Sequence, residues 1–196
     1  KFKTKSDGHT SGGLRVLYAG TIGRAQDLQN AVDALRLCIQ QGVDVRLRFV
    51  GSGAAKSELQ RISKDLGSAV SFEPRYPADS LKEYYQWADT ALVHLADWEP
   101  LKRTVPSKVY ELMEAGIHIS AVVQGEAASI ISRSNAGTVV IPNDPRALAE
   151  LWTHLVQDPK GLEVSDRGAS WVKQQRSVVI PHTLRKIIST VRERNV

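Results

Sequence analysis

Apolar and polar positions alternate along the chain in two rhythms. Short runs rich in Val, Leu, Ile and Phe recur at LRVLYA (14–19), VRLRFV (45–50), VSFE (70–73), DTALVHL (89–95), IHISAVV (117–123) and GTVVIP (137–142). Runs of that length and composition predict β-strands. Between them lie longer stretches whose apolar residues recur three and four apart, the period of an amphipathic helix. In AQDLQNAVDALRLCIQQG the face is Ala31, Ala34, Leu35, Cys38 and Ile39. The same rhythm predicts helices over AKSELQRISKDLG, about 80–88, Ser107 to about Ala115, about 127–134, and PRALAELWTHLVQD. Two more, at about 163–175 and 182–194, close the chain.

Buried apolar strands that alternate with helices imply a parallel sheet covered on both faces. The expected fold is α/β: a doubly wound, Rossmann-like parallel sheet of about six strands, followed by C-terminal helices. No Pro/Gly-rich break interrupts residues 14–158, so residues 14–196 read as one domain. Residues 1–13, KFKTKSDGHTSGG, read as a linker or an artificial edge.

The stretch VPSKVYELMEAGIHIS (105–120) carries an oddity. Pro106 and Ser107 look like a helix start, with Ser107 as the N-cap. Lys108 then falls in the first turn, where a cation meets the positive end of the helix dipole at a cost of about 0.3–1 kcal/mol. Glu111 follows on the same face, while Val109, Leu112 and Met113 turn toward the core. The plainer account is a surface ion pair worth about 0.2–0.5 kcal/mol. The alternative is a helix face built to meet a ligand.

Composition narrows the classes. A net charge of +5 permits an anionic ligand or an acidic membrane surface. The Lys and Arg are spread along the chain without a recognised motif, which argues against nucleic acid. No apolar run reaches the length needed to span a bilayer, and the N-terminal residues lack a signal-peptide pattern. The single cysteine, Cys38, rules out an internal disulfide and fits a reducing compartment.

Ligands of an open parallel sheet bind beyond the carboxyl ends of its strands. Three of those loops carry glycine: Gly20-Thr21-Ile22-Gly23-Arg24 after the first strand, Gly51-Ser52-Gly53 after the second, and Gly125-Glu126 after the fifth. Glycine lets a backbone approach a ligand closely, and the next helix start offers N–H groups to an anion. With Arg24 and Lys108 on the same edge, a phosphate-bearing ligand is expected. Tight strand-to-helix turns alone would also explain each glycine. The dinucleotide fingerprint and the phosphate-loop motif of nucleotide hydrolases are absent, so no nicotinamide, flavin or other cofactor is expected. His9, His94, His118, His154 and His182 show no metal-ligand spacing, and no metal site is expected. Trp87 and Trp152 read as packing residues.

PSKVYELMEAG with GEAA beyond the next strand, and YAGTIGRAQDLQNAVDAL near the start, resemble the C-terminal domain of GT-B glycosyltransferases. The closer likeness is to family 4, the group-1 type that builds bacterial surface polysaccharides, and it spans residues 14–192. The resemblance implies binding of a nucleotide-diphosphate sugar, UDP- or GDP-linked. It assigns the ribose hydroxyls to Glu111, and the diphosphate side to Gly20, Thr21, Ile22, Gly23 and Arg24. Arg75 and Tyr76, after Pro74, border the base, while Gly125 and Glu126 approach the sugar or phosphates. On this reading Ser107 and Lys108 open the donor-facing helix, and Gly51 and Gly53 complete the edge. The ammonium of Lys108 then meets the diphosphate charge, which the same helix dipole also favours.

Two departures stand out. Many members carry a second, earlier glutamate that contacts the donor sugar; counting back from Glu111 lands on Arg103, and Glu99 is four residues too early. His118 stands where a proline commonly follows the glycine. The expected protein is the donor-binding half of a retaining glycosyltransferase, with no catalytic residue in this chain. Acceptor recognition would belong to an absent N-terminal domain, onto which the last helix resembles the tail that crosses back. The full enzyme is expected in the cytoplasm, with the inner face of the membrane as a peripheral site. Two alternatives are a stand-alone nucleotide-sugar-binding subunit and half of a GT-B-like nucleotide-sugar epimerase.

Overall fold

The computed structural model describes residues 12–194, so the expected linker lies outside the described residues except for Gly12 and Gly13. Each expected run forms a strand: β1 (Leu14–Ala19), β2 (Val45–Val50), β3 (Val70–Glu73), β4 (Thr90–His94), β5 (His118–Val122) and β6 (Gly137–Val140). All pair in parallel, in the order β3-β2-β1-β4-β5-β6. This is the doubly wound, Rossmann-like arrangement, whose strand order reverses between β1 and β4. β1 matches β2 along its whole length, from Leu14↔Val45 to Ala19↔Val50. Its ladder with β4 consists of Val16↔Thr90 and Leu17↔Ala91. Past the strand ends, the Ala96 N–H donates to the Ala25 carbonyl at 2.9 Å.

Eight α-helices lie among the described residues: α1 (Gln29–Gln40), α2 (Lys56–Ile62), α3 (Lys82–Trp87), α4 (Ser107–Ala115), α5 (Gly125–Arg133), α6 (Pro145–Gln157), α7 (Arg167–Gln174) and α8 (Ile180–Arg194). One core joins Val16, Tyr18, Leu47 and Phe49 to Ala31, Leu35 and Cys38 of α1 and Leu148 and Trp152 of α6. The other joins Leu17, Ala19 and Val50 to Tyr85 of α3, Val109, Leu112 and Met113 of α4, and Ile131 of α5. Two apolar layers on opposite faces follow from strands that carry apolar residues on both faces. Among the described residues, no helix is long and apolar enough to cross a membrane.

Several expected boundaries move. The first helix begins at Gln29, because Arg24–Gln26 form a tight turn and Asp27 takes a left-handed conformation at φ 41°. Ile39, expected on its buried face, is 41% exposed. The second helix ends at Ile62, and the backbone reverses at Gly67 (φ 53°, ψ −127°). Ser107 is not the N-cap: Pro106 holds the half-in position and Ser107 is the first helical residue, with no side-chain cap. A proline is tolerated there because the N–H it lacks would have no helical partner. Gly125 and Glu126 belong to the first turn of α5 rather than to a loop.

The last two expected helices join into one. Between α7 and α8, residues Gln175–Val179 widen into a π turn in which the Ile180 N–H donates to the Gln175 carbonyl. Proline inside a helix lacks one donor and crowds the preceding turn. A wider turn just before Pro181 relieves that crowding, so the helix continues where the sequence suggested a break. Val178, Ile180, Leu184, Ile187 and Ile188 are exposed along this segment.

Candidate functional site

A cleft of about 200 Å³ opens at the switch point and is lined by Ala19, Gly20, Thr21, Val50, Gly51, Ser52, Arg75, Tyr76, Leu81, Lys108 and Glu111. The ends of β1, β2 and β3, Leu81 before α3 and the start of α4 therefore converge on it. The wall after β1 is pinned by backbone bonds to the wall after β2: Gly20 N to Val50 O at 3.0 Å and Ile22 N to Ser52 O at 2.9 Å. The Tyr18 hydroxyl donates to the Thr21 carbonyl. Lys56 ties the ends of β2 and β3 together by donating to Gly51 O and Glu73 O, at 3.0 and 2.8 Å.

The glycines acquire a specific cause. A Cβ on Gly51 would lie 1.9 Å from Gly20 O, and one on Gly53 would lie 2.2 Å from Ile22 O. One on Gly125 would lie 2.0 Å from Lys102 O. These positions let neighbouring loops touch backbone to backbone, which fixes the cleft walls from behind.

Lys108 and Glu111 face the cleft from α4. The ammonium donates to Glu111 Oε2 at 2.6 Å and to the Tyr85 hydroxyl at 3.2 Å. Both charged side chains are partly exposed. Burial pulls the Lys108 ammonium downward, but hydrogen bonds and charge from Glu111 and Tyr85 outweigh it, so its pKa is raised and it stays charged. Burial, opposed by Lys108, raises that of Tyr85. The first turn of α4 adds N–H groups that no helical carbonyl can satisfy.

Of the expected site residues, Gly20, Thr21, Gly51, Arg75, Tyr76, Lys108 and Glu111 come together in the cleft. Ile22 does not: it is fully buried in the core, and its backbone rather than its side chain shapes the loop. Arg24, Gly53, Ser107 and Glu126 are exposed outside the lining, and Gly23 and Gly125 also lie beyond it. Tyr85 was missed. Its position in a short amphipathic helix marks it for burial, and nothing in the spacing reveals that its hydroxyl reaches Lys108.

The expected packing role of Trp87 is more specific than the sequence indicated. The Arg48 guanidinium carbon lies 4.0 Å from the centre of one Trp87 ring, a contact worth about 0.5–2 kcal/mol. His94 and His118 are buried in the sheet, as expected of structural histidines. Asn30 Nδ2 lies 3.0 Å from His94 Nε2, and His118 contacts the Thr90 and Thr138 hydroxyls at 2.8 and 3.2 Å.

Among the described residues lining the cleft, Glu111 is the single carboxylate and no histidine is present. No group of three His, Cys, Asp or Glu among the described residues is arranged to hold a metal ion. The arrangement suits binding: a carboxylate for hydroxyl groups, an ammonium for negative charge, and an arginine and tyrosine opposite.

The fold is that of a Rossmann-like domain of the GT-B type. The chain belongs to the family described as glycosyl transferases group 1, whose profile matches residues 13–158. It is 31% identical over 143 residues to "Probable glycosyltransferase WbjE" of Pseudomonas aeruginosa, covering 71% of this chain and 35% of that protein. Its fold matches Anabaena HepE, solved in complex with UDP and glucose, with a TM-score of 0.71 at 21% identity, covering 91% of this chain and 48% of HepE. It also matches the C-terminal domain of the group 1 family protein LpcC from Francisella tularensis, with a TM-score of 0.67 at 18% identity, covering 84% of this chain and 87% of that domain. The chain thus spans about a third of the curated relative, while matching most of the LpcC domain.

Proposed function

We propose that this domain is the donor-binding half of a retaining glycosyltransferase that uses a nucleotide-diphosphate sugar. The observation that carries the reading is the side-by-side placement of Lys108 and Glu111 on the cleft face of α4. Glu111 takes the ribose hydroxyls, and Lys108 takes the diphosphate together with the α4 N-terminus and the backbone at Gly20 and Thr21. Arg75 and Tyr76 border the base in this reading, and Gly125 and Glu126, which lie outside the cleft lining, approach the sugar or phosphates. HepE was solved with UDP, which supports UDP as the first donor to test.

Departure of the nucleoside diphosphate would be eased by Lys108 and helix N–H groups, with no metal in the donor site. Acceptor recognition and any catalytic base are assigned to an N-terminal domain, and the acceptor to a surface polysaccharide or glycoconjugate. The exposed apolar side chains of α8 suit a tail that packs onto such a domain. The chain alone is then expected to bind UDP or GDP with roughly micromolar to millimolar affinity, about 4–8 kcal/mol, and to transfer no sugar. Titration calorimetry with UDP, GDP and ADP tests this. Absence of binding to all of them overturns the donor site, and sugar transfer by the chain alone overturns the half-enzyme reading.

A further inference from the structure

The sheet face covered by α3 carries a ladder of flat side chains that ends at the cleft. Arg15 is clamped by Asp89 through bonds of 2.9 and 3.2 Å, and its guanidinium carbon lies 6.0 Å from a Trp87 ring centre. Arg48 also lies over Trp87, at 4.0 Å, and 5.9 Å from the ring centre of Tyr84. Tyr84 stacks on Tyr76, with centroids 5.4 Å apart and planes 29° apart. Tyr76 is part of the cleft wall.

Arg48 Nε is buried without a hydrogen-bond partner. Leaving a guanidinium nitrogen unsatisfied is unfavourable, so the ring contacts, rather than a polar partner for that atom, account for where Arg48 sits. The ladder runs from the middle of β2, within a parallel sheet, to a loop residue beyond β3. It therefore transmits the rigidity of the sheet to a side chain that would otherwise choose among rotamers.

We propose that Arg48, Trp87 and Tyr84 are positioning residues that hold the Tyr76 ring at one place and angle, so that it selects among the bases of nucleoside diphosphates. This rests on the donor-site reading above. A mobile aromatic ring stacks on any base, because every base presents a π-face. A ring fixed against Tyr84 sets the width of the slot beside it, and width separates a pyrimidine from a purine.

The test measures dissociation constants for UDP, GDP and ADP with the wild-type chain and with Arg48→Met, Tyr84→Leu and Tyr84→Phe, alongside thermal melts. Arg48→Met and Tyr84→Leu should lose roughly three- to ten-fold in affinity for the preferred diphosphate, the worth of one ring contact, and much less for the others. Tyr84→Phe keeps the ring but loses a hydroxyl that also interacts with Tyr76, so it should keep the wild-type order of the bases with a smaller loss than Tyr84→Leu. Parallel losses for all three bases, no loss, or a Tyr84→Phe defect as large as that of Tyr84→Leu overturns the ladder while the donor site stands. A wild type that binds the three equally overturns it as well. A wild type that binds none removes the donor-site reading and this one together.

Discussion

The Lys108 ammonium lies 2.6 Å from the Glu111 carboxylate, on the cleft face of one helical turn. The pair answers why a cation sits at the unfavourable end of α4. Without ligand, Glu111 compensates the cost of placing Lys108 beside the helix dipole, and the Tyr85 hydroxyl holds the ammonium from the other side. A partly exposed pair of this kind contributes only about 0–1 kcal/mol, so a ligand can displace it. In the proposed donor site a nucleoside diphosphate would replace both halves at once, giving phosphate to the ammonium and hydroxyls to the carboxylate.

The two charges should therefore separate under mutation. Glu111→Ala is expected to weaken binding of both a nucleoside and its diphosphate, because the proposed site gives it the ribose. Lys108→Ala should weaken the phosphorylated ligand alone, by roughly ten-fold, as expected for one charge-assisted hydrogen bond. That loss should shrink as salt is added, since the site is open to solvent. Calorimetry with uridine and UDP at two ionic strengths checks both, and equal losses for the two ligands would show the roles to be misassigned.

The cleft walls make a second, structural prediction. Gly51→Ala would press a methyl group to 1.9 Å from Gly20 O, whereas Gly20→Ala meets nothing nearer than the Tyr18 hydroxyl at 3.3 Å. The first substitution must displace backbone and should cost about 1–3 kcal/mol, the usual range for overpacking. Gly20→Ala should unfold within about 1 kcal/mol of wild type. Urea denaturation separates the two, and a wild-type midpoint for Gly51→Ala would show that the loops do not meet as described.

How far these features can be read from sequence depends on their range. The strands were legible because β-branched apolar runs bounded by polar turns leave little ambiguity, and the parallel order followed from helices between them. Lys108 and Glu111 were legible because three residues apart on a helix means one face. Tyr85 and the Arg48–Trp87 contact were not, since each joins residues from different elements with no local spacing to betray it. Ile22 was misplaced for a related reason: a loop rich in glycine looks ligand-facing, yet its central side chain plugs the core while its backbone turns. The continuous last helix was hidden by Pro181, whose local rule was overridden by a π turn.

The buried histidines tie stability to pH. Burial pushes the His94 imidazole down to about 4, against a smaller pull from the Gln26 backbone, and burial pushes His118 to about 4 as well. Each binds a proton less readily folded than unfolded, so the unfolded chain gains protons first as the pH falls. Stability present above about pH 6.5 is therefore lost progressively toward pH 4, by up to about 1.4 kcal/mol per pH unit for each histidine. Thermal melts from pH 7 to pH 5 should show this decline, and His118→Gln should make it shallower. A flat profile, or one with the wild-type slope in His118→Gln and in His94→Gln, would contradict the assignment.

The final prediction concerns divalent metal. A hard cation at a diphosphate is normally held by carboxylates together with phosphate oxygens and retained waters. Glu111 is the single carboxylate among the described residues lining the cleft, and it already faces Lys108. Asp97 and Glu99, in the connection after β4, are exposed, and Glu99 is paired with Lys102 at 2.7 Å. Placing magnesium at the diphosphate would mean drawing that connection inward and breaking its ion pair. Charge on the phosphates is more simply met by Lys108 and the α4 N-terminus. The affinity for UDP should accordingly change by less than about twofold between EDTA and added magnesium, once metal bound to free nucleotide is allowed for. Asp97→Ala and Glu99→Ala should behave as wild type in both conditions. A requirement for magnesium that either substitution abolishes would overturn the metal-free donor site and move the diphosphate toward the loop after β4.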